Sequence, residues 1–209
     1  MGLADFLLSR REEIAALALE HLGLVAAAMV AAIAVGFPLG VALRRFPRLA
    51  RPVLGFASVL QTIPSLALFG FLIPLPILGG VGVRTAVLAL VLYALLPIVR
   101  NTYTGLRSVD PVLIEVGRGL GMTEAERLRL VEIPLALPVI LAGVRIATVA
   151  TVGLATVAAA IGAGGLGTFI FRGLAMVDHR LILAGAIPAA VLALAADGLL
   201  GLFEKAVRR

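Results

Sequence analysis

An all-α membrane protein with five transmembrane helices is the fold class this sequence predicts, and three observations predict it. Hydrophobic residues fill 61% of the 209 positions and charged residues 14%, with a mean hydropathy of +1.12. A soluble domain carries about 25% charged residues, so this composition excludes an ordinary globular enzyme. The apolar residues are gathered into five runs of bilayer-crossing length, about 20 residues each. Within each run they are continuous rather than alternating, which excludes a β-barrel.

The elements follow in chain order. Residues 1–20 contain Arg10, Arg11, Glu12, Glu13 and Glu20, too charged for a signal peptide. They read as a short amphipathic helix at the membrane interface, with Leu3, Phe6, Leu7, Ile14 and Leu17 as its apolar side. Spans are expected at 22–43, 52–73, 83–105, 135–161 and 181–203, making the whole chain, 1–209, a single transmembrane domain. Pro38, Pro64, Pro97, Pro138 and Pro188 fall inside these spans, which membrane helices tolerate when neighbours satisfy the freed carbonyls.

Basic residues set the orientation. Arg44, Arg45, Arg48 and Arg51 follow the first span, Arg107, Arg118, Arg127 and Arg129 the third, and Lys205, Arg208 and Arg209 the fifth. The other side holds only Arg10, Arg11, Arg84, Arg172 and Arg180. The positive-inside rule therefore expects the N-terminus outside and the C-terminus in the cytoplasm. The net charge of +6 is on this reading a topology signal, and no nucleic-acid partner is expected. With no cysteine and two isolated histidines, His21 and His179, neither a thiol nucleophile nor a metal site is expected. No catalytic constellation is expected either.

The cytoplasmic segment 106–133 carries its own structure. Asp110 before Pro111 is an N-cap with proline at the first helical position. The helix begun there stops at Gly119 and Gly121. Thr123 and Glu126 then form a capping box that starts a second helix, running to Pro134. A structured loop of this kind either docks a partner or is a passive surface hairpin.

Glu115-Val116-Gly117, three residues, Gly121, nine residues, then Val131-Glu132-Ile133-Pro134 resembles the EAA motif of ABC importer permeases, with Val116 and Gly117 in place of the two alanines. The resemblance implies a type I importer fold in which 111–122, including Pro111, Glu115, Gly117, Arg118, Gly121 and Met122, couples to a separate ATPase, with Pro134 closing the motif. The runs Gln61–Ala67, Leu95–Tyr103 and Ile161–Gly167 look like permeases of the osmoprotectant uptake family, which import glycine betaine, carnitine, choline and similar solutes. That family implies an ATPase dimer, a second permease copy or a paralogue, and an extracytoplasmic substrate-binding protein. It also implies a bacterial or archaeal cytoplasmic membrane. The chain itself would bind no cofactor; ATP and Mg would belong to the partner ATPase. A methionine or other amino-acid permease is the alternative, since the glycine-rich run is shared with that type. An ion-coupled carrier would need inverted repeats and several mid-membrane ionisable groups, which the sequence does not offer.

The remaining candidates are polar groups within spans. Ser58, Gln61, Thr62 and Ser65 lie at i, i+3, i+4 and i+7, one helical face if the span is continuous. Tyr93 with Arg100 and Thr104, and Arg145 with Thr148 and Thr156, form further stripes. Such stripes either line a water-filled path or bond to neighbouring helices; for Gln61 and Arg145 the path is the reading preferred. Arg145 either faces that path, where a zwitterion's carboxylate pairs with it, or bonds carbonyls of an adjacent helix. Asp197 is either a proton site or a group reaching the interface. Asp178 and His179 read as solvated loop residues. Gly162, Gly164 and Gly167 match G-x-G-x-x-G, but no strand is expected before them, which argues against dinucleotide binding. With Gly165 they resemble the part of such permeases near the external gate, where the binding protein docks.

Overall fold

The computed structural model describes residues 2–76 and 79–207, so the C-terminal charges Arg208 and Arg209 lie outside the described residues. A short α1 (Leu3–Ser9) turns at Arg10 into α2 (Arg11–Arg45). The 35 residues of α2 are about 52 Å long at the α-helical rise. This corrects the expected separation of 1–20 from the first span. Residues 11–20 are good helix formers with neither Gly nor Pro among them, so the span helix extends outward through them. The apolar residues of this end do not face an interface alone: Phe6, Leu7, Ile14 and Leu17 pack on a buried cluster of Phe169, Leu181 and Ala184.

The second span is not one helix. α3 (Pro47–Thr62) and α4 (Ser65–Leu72) meet at 103° across Ile63-Pro64. Proline bars its predecessor from the helical region, and Ile63 is extended at φ −70°, ψ 126°. Ser65 therefore does not continue the face of Ser58, Gln61 and Thr62.

α5 (Val83–Arg107) agrees with its expected span and keeps Pro97 inside an unbroken helix. α6 (Pro111–Gly119) is the short helix of the loop. The chain then runs helically from Glu124 to Ile161: α7 (Glu124–Arg127), a π-helical turn (Leu128–Glu132), α8 (Ile133–Val157) and a 3-10 turn (Ala158–Ile161). α9 (Gly167–Met176), unexpected from sequence, precedes α10 (His179–Val207). Four of these helices, or five with the bent pair, are long and apolar enough to cross a membrane.

The core is the meeting of α2, α5 and α8. Val25, Ala28, Met29 and Ala32 pack against Leu90, Ala94 and Ile98, and against Ala147, Val152 and Ala155. Small residues allow this closeness. Gly36 and Gly40 present their bare faces to Ile98 and Thr102, and a Cβ at Gly40 would stand 2.5 Å from Thr102 Cβ. Small residues at i and i+4 are the usual means of close helix approach where burial of apolar surface gives no drive. α10 packs on α8 and α9 and leaves most of its surface uncovered.

Candidate functional site

The candidate residues fall into three regions, beginning with the loop between α5 and α8. Asp110 caps α6 through Oδ1, which accepts from the Val112 amide at 2.8 Å, and Pro111 holds the first helical position. The helix closes where the Gly121 and Met122 amides donate to the carbonyls of Arg118 and Gly117, both at 3.0 Å, with Gly121 at φ +80°. The Thr123–Glu126 capping box is formed. Glu126 Oε2 accepts from Thr123 Oγ1 at 2.7 Å and from its amide at 2.8 Å, and these donors hold the Glu126 carboxyl below its usual range.

α6 has two unlike sides. Gly117 is buried against the Met122 sulfur and the aliphatic stem of Arg127. Val112, Leu113, Val116 and Leu120 are exposed, and Glu115 and Arg118 lie exposed beside them. Three exposed aliphatic residues on one nine-residue helix, with Leu120 at its C-cap, make a ready contact surface. Pro134 lies exposed in the first turn of α8.

Behind α6 is a charged joint that sequence reasoning did not single out. Glu132 is fully buried between Arg44 of α2 and Arg127. Arg44 Nη2 donates to Oε1 at 2.5 Å, and Arg44 Nε stands 2.5 Å from Oε2 as an ion-pair contact that makes no hydrogen bond. Arg127 Nε donates to Oε1 at 3.1 Å. Its sequence signals are an acidic residue among Leu, Val and Ile where a span begins and a place within the EAA-like motif.

The second region is the set of polar groups within the spans. Gln61 and Tyr93 come together at the break between α3 and α4. Pro97 has no amide proton, so the carbonyl four residues before it, on Tyr93, loses its helical donor; Gln61 Nε2 donates to that oxygen at 2.8 Å. Tyr93 in turn donates its hydroxyl to the Ile63 carbonyl, freed by the break. Ser58 accepts from Arg100 Nη2 at 3.1 Å. The hydroxyls of Thr62, Thr148 and Thr156 donate to carbonyls of their own helices.

Arg145 bonds carboxylates rather than the carbonyls of an adjacent helix. It forks onto Asp197 of α10, Nε to Oδ1 at 2.7 Å and Nη2 to Oδ2 at 2.8 Å, with Glu204 Oε2 3.5 Å from Nη1. Asp197, Gly201 and Glu204 share one face of α10, and bare Gly201 leaves the guanidinium its room. The cluster is half-exposed beside a cavity of about 520 Å³ lined by Ala142, Ile146, Val149 and Ala150.

The third region lies at the opposite end. Gly162, Gly164 and Gly165 all have positive φ, +74°, +82° and +75°. The run follows α8 and its 3-10 turn, not a strand, so it is no dinucleotide fingerprint. Gly167 starts α9 hard against the Thr156 carbonyl. Glu20 Oε2 accepts the Gly165 amide at 3.0 Å, and His21 Nε2 lies 3.0 Å from the Val152 carbonyl oxygen. Asp178 accepts the Arg180 amide at 2.9 Å as a helix cap, and no metal-holding cluster exists among the described residues.

The chain is similar to several known transport proteins. Relatives include the osmoprotectant import permease protein OsmW of Salmonella typhimurium, 51% identical over 96% of this chain and 94% of its own. The glycine betaine/carnitine/choline transport system permease protein OpuCB of Bacillus subtilis is 48% identical over 90% of this chain and 85% of its own. The carnitine transport permease protein OpuCB of Listeria monocytogenes is 50% identical over 88% and 84%. In structure the chain is similar to the permease of the inward-facing MetNI methionine ABC transporter, with a TM-score of 0.82, 24% identity and coverage of 91% and 94%. That likeness establishes the fold. Residues 23–209 match the model of the binding-protein-dependent transport system inner membrane component, and the chain belongs to that family of ABC importer permeases.

Proposed function

We propose that this chain is the permease subunit of an ATP-driven importer of osmoprotectants, moving glycine betaine, carnitine, choline or a similar quaternary amine into the cytoplasm. The observation that carries this is identity of 44–51% to permeases of such systems over most of the chain. The chain supplies no chemistry of its own. A dimer of ATPase subunits, holding ATP and Mg, docks on α6 through Val112, Leu113, Val116 and Leu120, and its closure moves α6.

Five spans do not enclose a path alone, so a second copy or a paralogue completes it. The chain runs with its N-terminus outside and α6 in the cytoplasm. An extracytoplasmic binding protein delivers solute at the outer end, by Gly162–Gly167. High affinity belongs to that protein, because quaternary ammonium groups favour aromatic cages and this chain has no Trp and two Tyr.

The test is uptake of labelled glycine betaine, carnitine, choline and methionine by proteoliposomes holding the complete importer. ATP-dependent accumulation of one or more of the quaternary amines, with methionine excluded, is expected. Accumulation of methionine alone would replace the osmoprotectant reading with the amino-acid one.

A further inference from the structure

We propose that Glu132 is a positioning residue, joining the ATPase-facing helix α6 to α2 so that α2 acts as a rod between the two ends of the subunit. The proposal rests on the reading of α6 as the docking helix.

The local backbone is built for this joint. In an α-helix, residues five apart point about 140° away from one another, so Arg127 and Glu132 would not meet. The π-helical turn Leu128–Glu132 widens the helix where it lies between them, and Arg127 reaches Glu132 at 3.1 Å. Such turns are rare and concentrate at functional sites.

The joint continues on both sides. Toward α6, the Cγ and Cδ of Arg127 lie 3.5 Å from where a Cβ on Gly117 would stand, so α6 rests directly on the Arg127 stem. Toward α2, Arg44 holds Glu132 by one charge-assisted hydrogen bond to Oε1 and a close ion-pair contact at Oε2. An outer pair of contacts, Glu124 to Arg44 at 3.7 Å and to Arg45 at 3.3 Å, is more exposed and weaker.

Stability alone does not account for the arrangement. Buried ion pairs gain little over well-packed apolar residues of the same size, and apolar neighbours were at hand in Leu106, Val109, Ala136 and Ile140. What a buried, hydrogen-bonded ion pair adds is a fixed direction and distance between helices. α2 then carries it far: its other end holds Glu20 on the Gly165 amide and His21 beside the Val152 carbonyl. Displacement of α6 thus reaches the glycine run through one continuous helix.

The experiment uses the complete importer in proteoliposomes, reading glycine betaine uptake and ATP hydrolysis together. Glu132→Gln and Arg44→Gln are each expected to lower uptake per ATP by about tenfold while hydrolysis stays within about twofold, the size of an ordinary coupling energy. The double variant is expected to be no worse than either single one, as members of one unit behave. If uptake and hydrolysis fall in proportion, leaving the ratio at the wild-type value, Glu132 only holds the fold together and the proposal is overturned.

If Glu132→Gln does not assemble, Arg44→Lys decides the matter. It keeps the charge but loses the planar guanidinium that reaches Oε1, and a ratio lowered about threefold is expected; a wild-type ratio overturns the proposal. A wild-type chain that purifies with no ATP-hydrolysing subunit removes the docking reading itself, an outcome distinct from an unchanged ratio.

Discussion

At Gly121 one torsion angle sets the direction in which the chain leaves α6. Its φ of +80° is open to glycine and costs an L-residue about 1–2 kcal/mol; a β-branched side chain suits it worst. Gly121→Val is expected to tilt α6 and cut solute uptake severalfold while the protein still reaches the membrane, read from transport and from the amount inserted. Gly119→Ala is the control, since a Cβ there meets open space and alanine favours the helix. Five residues on from Gly121, pH enters. The Glu126 carboxyl lies below its usual range because Thr123 donates to its charged form. A depressed carboxylate stabilises the fold above its ordinary pKa, and the contribution disappears as pH falls through the folded value. Protection of the amides in the turn after Thr123, relative to their intrinsic exchange rates, is therefore expected to fall on acidification below about pH 4, and Glu126→Gln is expected to remove that pH dependence.

Among the elements, the broken span shows how a helix defect in one segment is satisfied by a defect in another. Pro97 orphans the Tyr93 carbonyl, the break at Pro64 orphans the Ile63 carbonyl, and Gln61 and Tyr93 exchange bonds to cover both. Gln61→Leu is expected to lower thermal stability in detergent by about 1 kcal/mol, the usual worth of such a bond in membrane proteins. In a Pro97→Ala background the same substitution is expected to cost almost nothing, because the helix then supplies its own donor. A double-mutant cycle with no coupling would refute the exchange. The same pair shows what was legible in the sequence. Local signals were read correctly: Asp110-Pro111 and Thr123-x-x-Glu126 act within four residues, and both caps formed. The break was not legible. Pro38, Pro97, Pro138 and Pro188 remain within helices while Pro64 ends one, and which outcome holds depends on donors from other segments. For the same reason Arg145 gave no hint of Asp197, 52 residues away, nor Glu132 of Arg44. α9 went unread because its ten residues are too few for a span and follow a glycine run that reads as loop.

At the scale of the whole molecule, the proposed second permease and orientation both bear on its exposed faces. The half-exposed cluster of Arg145, Asp197 and Glu204, the exposed Arg100 and the opened backbone at Ile63-Pro64 all lie in helices apolar enough to span a membrane or in the bent pair. Charged groups and non-helical backbone are costly against lipid, so these surfaces belong against water or a second permease. The proposed orientation rests on charge: Arg44, Arg45, Arg48 and Arg51 gather at the α6 end. The chain has no cysteine, which makes single-cysteine labelling clean. Val81, just before α5, and Leu120, just after α6, are exposed at 76% and 77%, and only α5 crosses between them. Val81→Cys is expected to react with an impermeant maleimide in intact cells, and Leu120→Cys only after permeabilisation, more slowly when the ATPase is bound. The reverse pattern would invert the subunit and place α6 where no ATPase can reach it. Labelling of both from one side would mean that α5 does not cross, and the five-span arrangement would fall with it.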